Sequence, residues 1–299
     1  MSTLIAIVGP TGVGKTDLSL RLAKEYACPI VSCDSRQIFK ELKIGVAAPS
    51  DDQLRAVKHY FIGCKSIEER YSAGKYELDA MAVLEREFES HKALLLVGGS
   101  MLYADAIFKG IDDLPTIDTE LREELLRYYA ENGIEAIRRR LYLLDPEHYK
   151  QMDLSNAKRI LHAIEVCMMT GKTFTELRTN QKKQRPFAIL KIGLTRPRKE
   201  LYDRINRRVV EMMSDGLEEE ARNLYPKRNL NALNTVGYKE LFKYFDGTWS
   251  REFAISMIQQ NTTRYAKKQL TWFQRDEEIN WFHPNDEDEI VAFVQNNVS

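Results

Sequence analysis

Gly9, Pro10, Thr11, Gly12, Val13, Gly14, Lys15 and Thr16 are consecutive and fit the pattern G-x-x-x-x-G-K-S/T. Each residue type has a task in holding a string of phosphates. Gly12 and Gly14 can take backbone conformations barred to other residues, so the loop can wrap an anion. Its amides and the start of a following helix then point at phosphate oxygens, Lys15 adds a full positive charge, and the Thr16 hydroxyl can ligate Mg2+. A second candidate for chemistry is Asp34, in Val31-Ser32-Cys33-Asp34-Ser35-Arg36-Gln37. A carboxylate beside a bound diphosphate can accept a proton from an attacking nucleophile. On residue type alone, Asp34 suits a helix cap or a turn equally well.

These residues need a strand before the loop and a helix after it. Thr3 to Val8 is a short apolar run ending at Gly9, and a helical pattern from Lys15 to Tyr26 puts Leu18, Leu22 and Tyr26 on one face. Pro29 to Ser32 reads as a second buried strand leading into Asp34. Ala93 to Val97 reads as a third, ending at Gly98 and Gly99, and Phe187 to Leu194 as another. Short continuous apolar strands alternating with helices predict an α/β fold, a parallel sheet flanked by helices, with function at the strands' carboxyl ends. Gly9, Asp34 and Gly98 each follow such an end and are expected to converge on one crevice.

Between Asp113 and Arg185 the pattern becomes helical (Thr119 to Ala130, Ile134 to Leu144, Ala157 to Thr170). This predicts an all-helical insertion over 113–185 in a phosphate-loop core made of 1–112 and 186–299. After Leu194 the chain reads as mostly helical, with long amphipathic segments from Lys199 to Met213 and from Arg251 to Gln274.

Composition excludes several classes. With 43% hydrophobic and 29% charged residues, the chain is neither disordered nor collagen-like. Basic and acidic residues number 44 each, so any nucleic-acid contact must rest on local clustering. Cys28, Cys33, Cys64 and Cys167 form no C-x-x-C pair, and the five histidines show no metal-ligand spacing, so we expect free thiols, a reducing compartment and no transition metal. No apolar run approaches the ~20 residues of a membrane span, and the first strand leaves no room for a signal peptide. A cytoplasmic protein with no membrane contact is expected. The phosphate loop suggests a nucleoside triphosphate, but such sites usually hold a metal with an acid at the end of a neighbouring strand. Here that strand runs into Val97, Gly98, Gly99 and Ser100.

Several ordered blocks extend these landmarks: Asp34 to Gln37 followed by Ile44 to Pro49, Val97 to Tyr103, Lys158 to Val166, Leu201 to Arg208, Val236 to Lys239, and Tyr265 to Phe273. Together they resemble the tRNA dimethylallyltransferase family, also called tRNA isopentenyltransferases, over nearly the whole chain. The resemblance implies transfer of a dimethylallyl group from dimethylallyl diphosphate to the exocyclic N6 amine of adenosine 37, beside the anticodon, in tRNAs reading codons that begin with U. It implies that the loop Gly9 to Thr16 grips the diphosphate with Mg2+ on Thr16, and that Asp34 orients and deprotonates the amine. Ser35, Arg36, Gln37 and Ser100 would meet the target nucleotide. Arg208 would serve the diphosphate, and Arg122, Lys158, Arg159 and His162 the RNA. Gly237, Tyr238, Lys239, Lys267, Lys268, Gln269 and Trp272 would be further RNA contacts.

The residues themselves add two basic clusters. One runs from Arg178 to Arg208, and the other is Arg264, Lys267 and Lys268 interleaved with Tyr265, Trp272 and Phe273. Unpaired bases stack on such aromatic and guanidinium faces. Family knowledge further implies that the helical insertion clasps the anticodon stem-loop of a tRNA bound by a monomer. Three positions depart from the family pattern: Ser100 replaces threonine, and His162 and Gln274 stand where arginine is common. The zinc-finger extension of many eukaryotic relatives is not found before Ser299. Two other readings stay open on the residues alone, a small-metabolite or nucleoside kinase and a non-catalytic RNA-binding module.

Overall fold

The structure, a computed structural model, describes residues 2–115, 118–179 and 181–298. It divides into two compact units, Met1–Phe108 with Arg185–Ser299, and Lys109–Gln184.

The first unit is built on a six-stranded, all-parallel sheet in the order β3-β2-β4-β1-β5-β6, where β1 is Thr3–Val8, β2 Ile30–Ser32, β3 His59–Tyr60, β4 Ala93–Gly98, β5 Ala188–Leu194 and β6 Asn280–Phe282. Every residue of β1 is buried, which is why that strand reads as an unbroken apolar run: both faces of a parallel sheet are covered. Register then dictates where the loops emerge. Val8 pairs with Gly98 and Ser32 with Val97, so the chain leaves β1, β2 and β4 at one level and sets Gly9, Cys33 and Gly99 side by side. The α/β fold expected from the sequence is the one observed.

Two of these strands are additional to those expected from the sequence. β3 and β6 lie at the sheet's edges and are only two and three residues long. His59, Tyr60, Asn280, Trp281 and Phe282 form no buried apolar run, because an edge strand is paired on one side only. The region after Leu194 is therefore not wholly helical.

Helix Arg198–Ser214 buries Leu201, Ile205 and Val209, one stripe at four-residue spacing, and that stripe orients Arg204 and Arg208. Helices Leu217–Leu224, Tyr238–Phe245 and Arg251–Phe273 close a second core around Leu42, Leu217, Tyr238, Leu241 and Ile258. The unit Lys109–Gln184 has its own core of Leu125, Ile137, Leu141, Ile160, Ile164 and Phe174. Its first two helical stretches meet at Gly133, whose φ of 75° and ψ of −176° lie outside the helical region. Among the described residues, no helix is long and apolar enough to cross a membrane.

Candidate active site

The phosphate loop is shaped by its glycines and by side chains that hold its backbone. Helix Lys15–Glu25 starts after Gly14, whose φ of 112° is a left-handed conformation, and it has no side-chain cap. Its first-turn amides therefore lack intrahelical acceptors and carry the positive end of the helix dipole. The loop carbonyls are held from behind. Lys15 Nζ donates to the carbonyls of Gly9 (3.0 Å) and Pro10 (2.8 Å), Arg204 Nε to that of Gly12 (3.0 Å), and Arg196 Nε to that of Val13 (2.8 Å). Arg196 and Arg204 escape sequence reasoning because they act on backbone oxygens far away in the chain; no local pattern marks them.

Asp34 follows β2 directly. Its Oδ1 accepts the amides of Arg36 (2.8 Å) and Gln37 (3.2 Å), so it does form a turn. Among the described residues, Oδ2 takes no hydrogen bond. The turn thereby fixes the carboxylate while leaving one oxygen available. Asp34 also sits in the field of the cations. Burial brings Lys15 down to about 8, opposed by Asp34 and reinforced by Arg208. Burial likewise lowers Arg208, again opposed by Asp34. Neither cation has a carboxylate ion-pair partner among the described residues. Cys33 is held up at about 12 by burial and by Asp34, which keeps it an inert thiol.

The loops meet in a cleft of about 1480 Å3, lined among others by Gly12, Gly14, Lys15, Thr16, Asp34 to Gln37, Ile44 to Pro49, Gly99, Arg204, Arg207, Arg208, Gly237, Lys239 and Tyr265. Ser100 ties its acceptor side together, since its Oγ accepts the Ser35 amide at 2.8 Å and donates to Ser35 Oγ at 3.0 Å. Tyr265, which the sequence offered only as one aromatic of a basic cluster, lines the cleft, and burial and Asp34 raise it to about 12. Gln37 Nε2 donates to the carbonyls of Val46 and Ala47, and Glu220 accepts the amides of Lys43, Ile44 and Gly45, so the wall formed by residues 43–47 is held from both sides. Among the described residues, no group of three or more histidines, cysteines or acids could hold a metal by itself.

Comparison with known proteins decides what this cleft belongs to. The family model described as IPP transferase matches residues 37–276. tRNA dimethylallyltransferase 1 of Bacteroides fragilis is 59% identical over 98% of this chain and 97% of its own length. That of Bacteroides thetaiotaomicron is 58% identical over 99% and 96%. The chain belongs to the tRNA dimethylallyltransferase family. Membership makes it a prenyltransferase. The crystal structure of the full-length tRNA isopentenylpyrophosphate transferase from Bacillus halodurans matches with a TM-score of 0.73 and 32% identity, covering all of this chain and 97% of the other. A eukaryotic dimethylallyltransferase solved acting on tRNA has the same fold, with a TM-score of 0.74 at 23% identity over 91% of this chain and 70% of its own.

Set against the family pattern, the remaining sequence-selected residues fall into three groups. Exposed Lys239 and buried Gly237 line the cleft, whereas Lys267, Lys268, Lys158 and Arg159 are exposed cations of their respective helices. Lys267 Nζ lies 5.2 Å from the Tyr202 ring centre, and Trp272 donates its indole N–H to Asp105 at 3.1 Å. Tyr238 is fully buried with its hydroxyl on Glu220 at 2.5 Å, and Gln269 is 2% exposed, so both face the protein interior. In the helical unit, Arg122 meets Glu165 through Nε (2.6 Å) and a terminal nitrogen (2.5 Å), with His162 Nδ1 at 3.6 Å from the same carboxylate. That pair raises Arg122.

Proposed function

We propose that this prenyltransferase moves the dimethylallyl group of dimethylallyl diphosphate onto the exocyclic N6 amine of adenosine 37 in tRNAs reading codons that begin with U, giving N6-(dimethylallyl)adenosine. The observation that carries this reading is one cleft in which Lys15 and Arg208, among the described residues without an ion-pair partner, lie in the field of Asp34, whose Oδ2 takes no hydrogen bond from those residues. In the reaction the N6 nitrogen bonds to the allylic carbon as the carbon–oxygen bond to the diphosphate breaks. Asp34 takes the N6 proton and the diphosphate leaves with the electron pair.

An N6 lone pair delocalised into the purine is a poor nucleophile, and the base raises its electron density as the bond forms. Negative charge collects on the leaving diphosphate, where the loop amides, Lys15 and Arg208 would stabilise it. The protein supplies one cation ligand in the right place, the Thr16 hydroxyl, and a hard ion such as Mg2+ takes its other oxygens from phosphate and water. When bound, Mg2+ neutralises charge on the departing diphosphate. Ser35, Arg36, Gln37 and Ser100 would frame the adenosine, while Lys239, Lys267, Lys268 and Trp272, and in the helical unit Arg122, Lys158, Arg159 and His162, would meet the anticodon stem-loop. The protein would act as a monomer, and the acceptor sets the reaction in the cytoplasm.

The kinase reading loses ground at β4, which ends in Val97 and Gly98 and is followed by Gly99 and Ser100, with no acid to hold a nucleotide's metal. Incubation of the protein with unmodified tRNA, Mg2+ and labelled dimethylallyl diphosphate tests the proposal. Label is expected in tRNAs with adenosine at position 37, and its absence from them would overturn the reading.

A further inference from the structure

Gln269 lies on helix Arg251–Phe273, buried beneath the two loops that must act on opposite ends of one reaction. Its Oε1 accepts the Thr11 amide at 2.9 Å, and its Nε2 donates to the Gly99 carbonyl at 2.8 Å. Among the described residues, no backbone hydrogen bond joins the phosphate loop to Gly99 or Ser100, so this side chain makes the link. From Gly99 the connection continues through Ser100 Oγ to Ser35, the neighbour of Asp34. The approach is close: a Cβ on Gly99 would stand 2.4 Å from Gln269 Nε2 and 3.1 Å from the Gly9 carbonyl.

The polarity of the link restricts what can make it. One partner is a donor and the other an acceptor, and a carboxamide of this length presents both an acceptor and a donor without carrying charge. We propose that Gln269 is a positioning residue that sets the separation between the leaving diphosphate, held by the phosphate loop, and the base on the Asp34 loop. It is 2% exposed, and its side chain is committed to these two backbone groups. The role rests on the transfer reaction proposed above, in which reacting atoms misplaced by about 1 Å lose on the order of a hundredfold in rate.

Full-length Gln269→Leu and Gln269→Glu proteins test it, using single-turnover transfer from labelled dimethylallyl diphosphate to unmodified tRNA, with binding of inorganic pyrophosphate and of tRNA measured separately. Gln269→Leu is expected to slow transfer about a hundredfold while each dissociation constant stays within about twofold. Gln269→Glu supplies a readout that a merely structural role would not move, and decides the matter if the leucine variant does not fold. As a carboxylate it opposes the Gly99 carbonyl, whereas the protonated acid donates to that carbonyl as the amide does. Burial raises the pKa of such a group, so the ratio of variant to parent rate should climb about tenfold from about pH 8 to about pH 6. A ratio flat across that range, a leucine variant as fast as the parent, or a loss confined to tRNA affinity would overturn the positioning role. A parent that transfers no label would instead overturn the reaction itself.

Discussion

Arg208 in the cleft and Arg122 in the helical unit are both half-buried arginines carried on helices, yet their surroundings push them in opposite directions. Burial lowers Arg208, and among the described residues it has no ion-pair partner. Arg122 is raised, chiefly by its hydrogen bonds to Glu165, a carboxylate whose side chain is 1% exposed. Lys15 sides with Arg208: burial takes it down to about 8, and its ammonium rests on the carbonyls of Gly9 and Pro10. A cation that folding leaves destabilised is a field waiting for an anion. A cation already matched with a buried carboxylate has its field spent inside the protein. The same residue type is therefore left without a carboxylate in the cleft, among the described residues, and matched by one in the helical unit.

The largest effect should come from Asp34, whose field acts on Lys15, Arg36 and Arg208. Asp34→Asn removes the base and keeps the acceptor for the turn amides, so transfer is expected to fall by about a thousandfold or more while pyrophosphate still binds. Undiminished transfer would remove Asp34 from the base role. Arg208→Ala comes next, with kcat lowered about 10^2 to 10^3-fold if the guanidinium meets charge that develops in the transition state. If only the KM for dimethylallyl diphosphate changes, Arg208 is a ground-state anchor. For Arg122→Ala the comparison predicts a different loss altogether. Glu165 would stay buried without its partner, costing about 3 kcal/mol of stability, read as a lower melting temperature, whereas a residue serving RNA alone would leave melting unchanged.

Lys15 adds a pH dependence whose sign can be worked out. Its ammonium loses the proton near pH 8 in the ligand-free protein, and a diphosphate binds the charged form. Affinity for dimethylallyl diphosphate, measured without tRNA, should hold below that pH and fall about tenfold per unit above it, with proton uptake on binding. An affinity constant from pH 7 to pH 10 would mean that the ammonium is not part of the cradle.

Much of this arrangement was legible in the sequence because it is local. The phosphate loop is eight adjacent residues, and β1 and β4 are apolar runs whose ends carry Gly9 and Gly98. Asp34 could be found because it follows a strand directly. What escaped is relational. Arg196, Arg204 and Glu220 act on backbone atoms remote in the chain, and Tyr265 lines the cleft from a helix that otherwise reads as basic surface. A hydrogen bond to a main-chain oxygen constrains no neighbouring residue type, so it leaves no motif. Burial is similarly invisible: Gln269 and Lys268 are neighbours in the same basic block, and only packing shows that one is 2% exposed and the other exposed.

The smallest expected effect concerns the cations that are neither buried nor paired with a carboxylate. Lys267 is exposed, with its ammonium over the Tyr202 ring, so replacing it should disturb neither the fold nor the chemical step. If it meets a tRNA phosphate, Lys267→Ala weakens tRNA binding severalfold at low salt and lowers the slope of log K against log salt concentration by about one, for all tRNA sequences alike. An unchanged slope would show that this lysine is a solvated surface charge. A loss restricted to particular tRNAs would instead assign it to base readout. Measured beside Arg208→Ala, the pair separates a field kept for the diphosphate in the cleft from one spread over the RNA outside it.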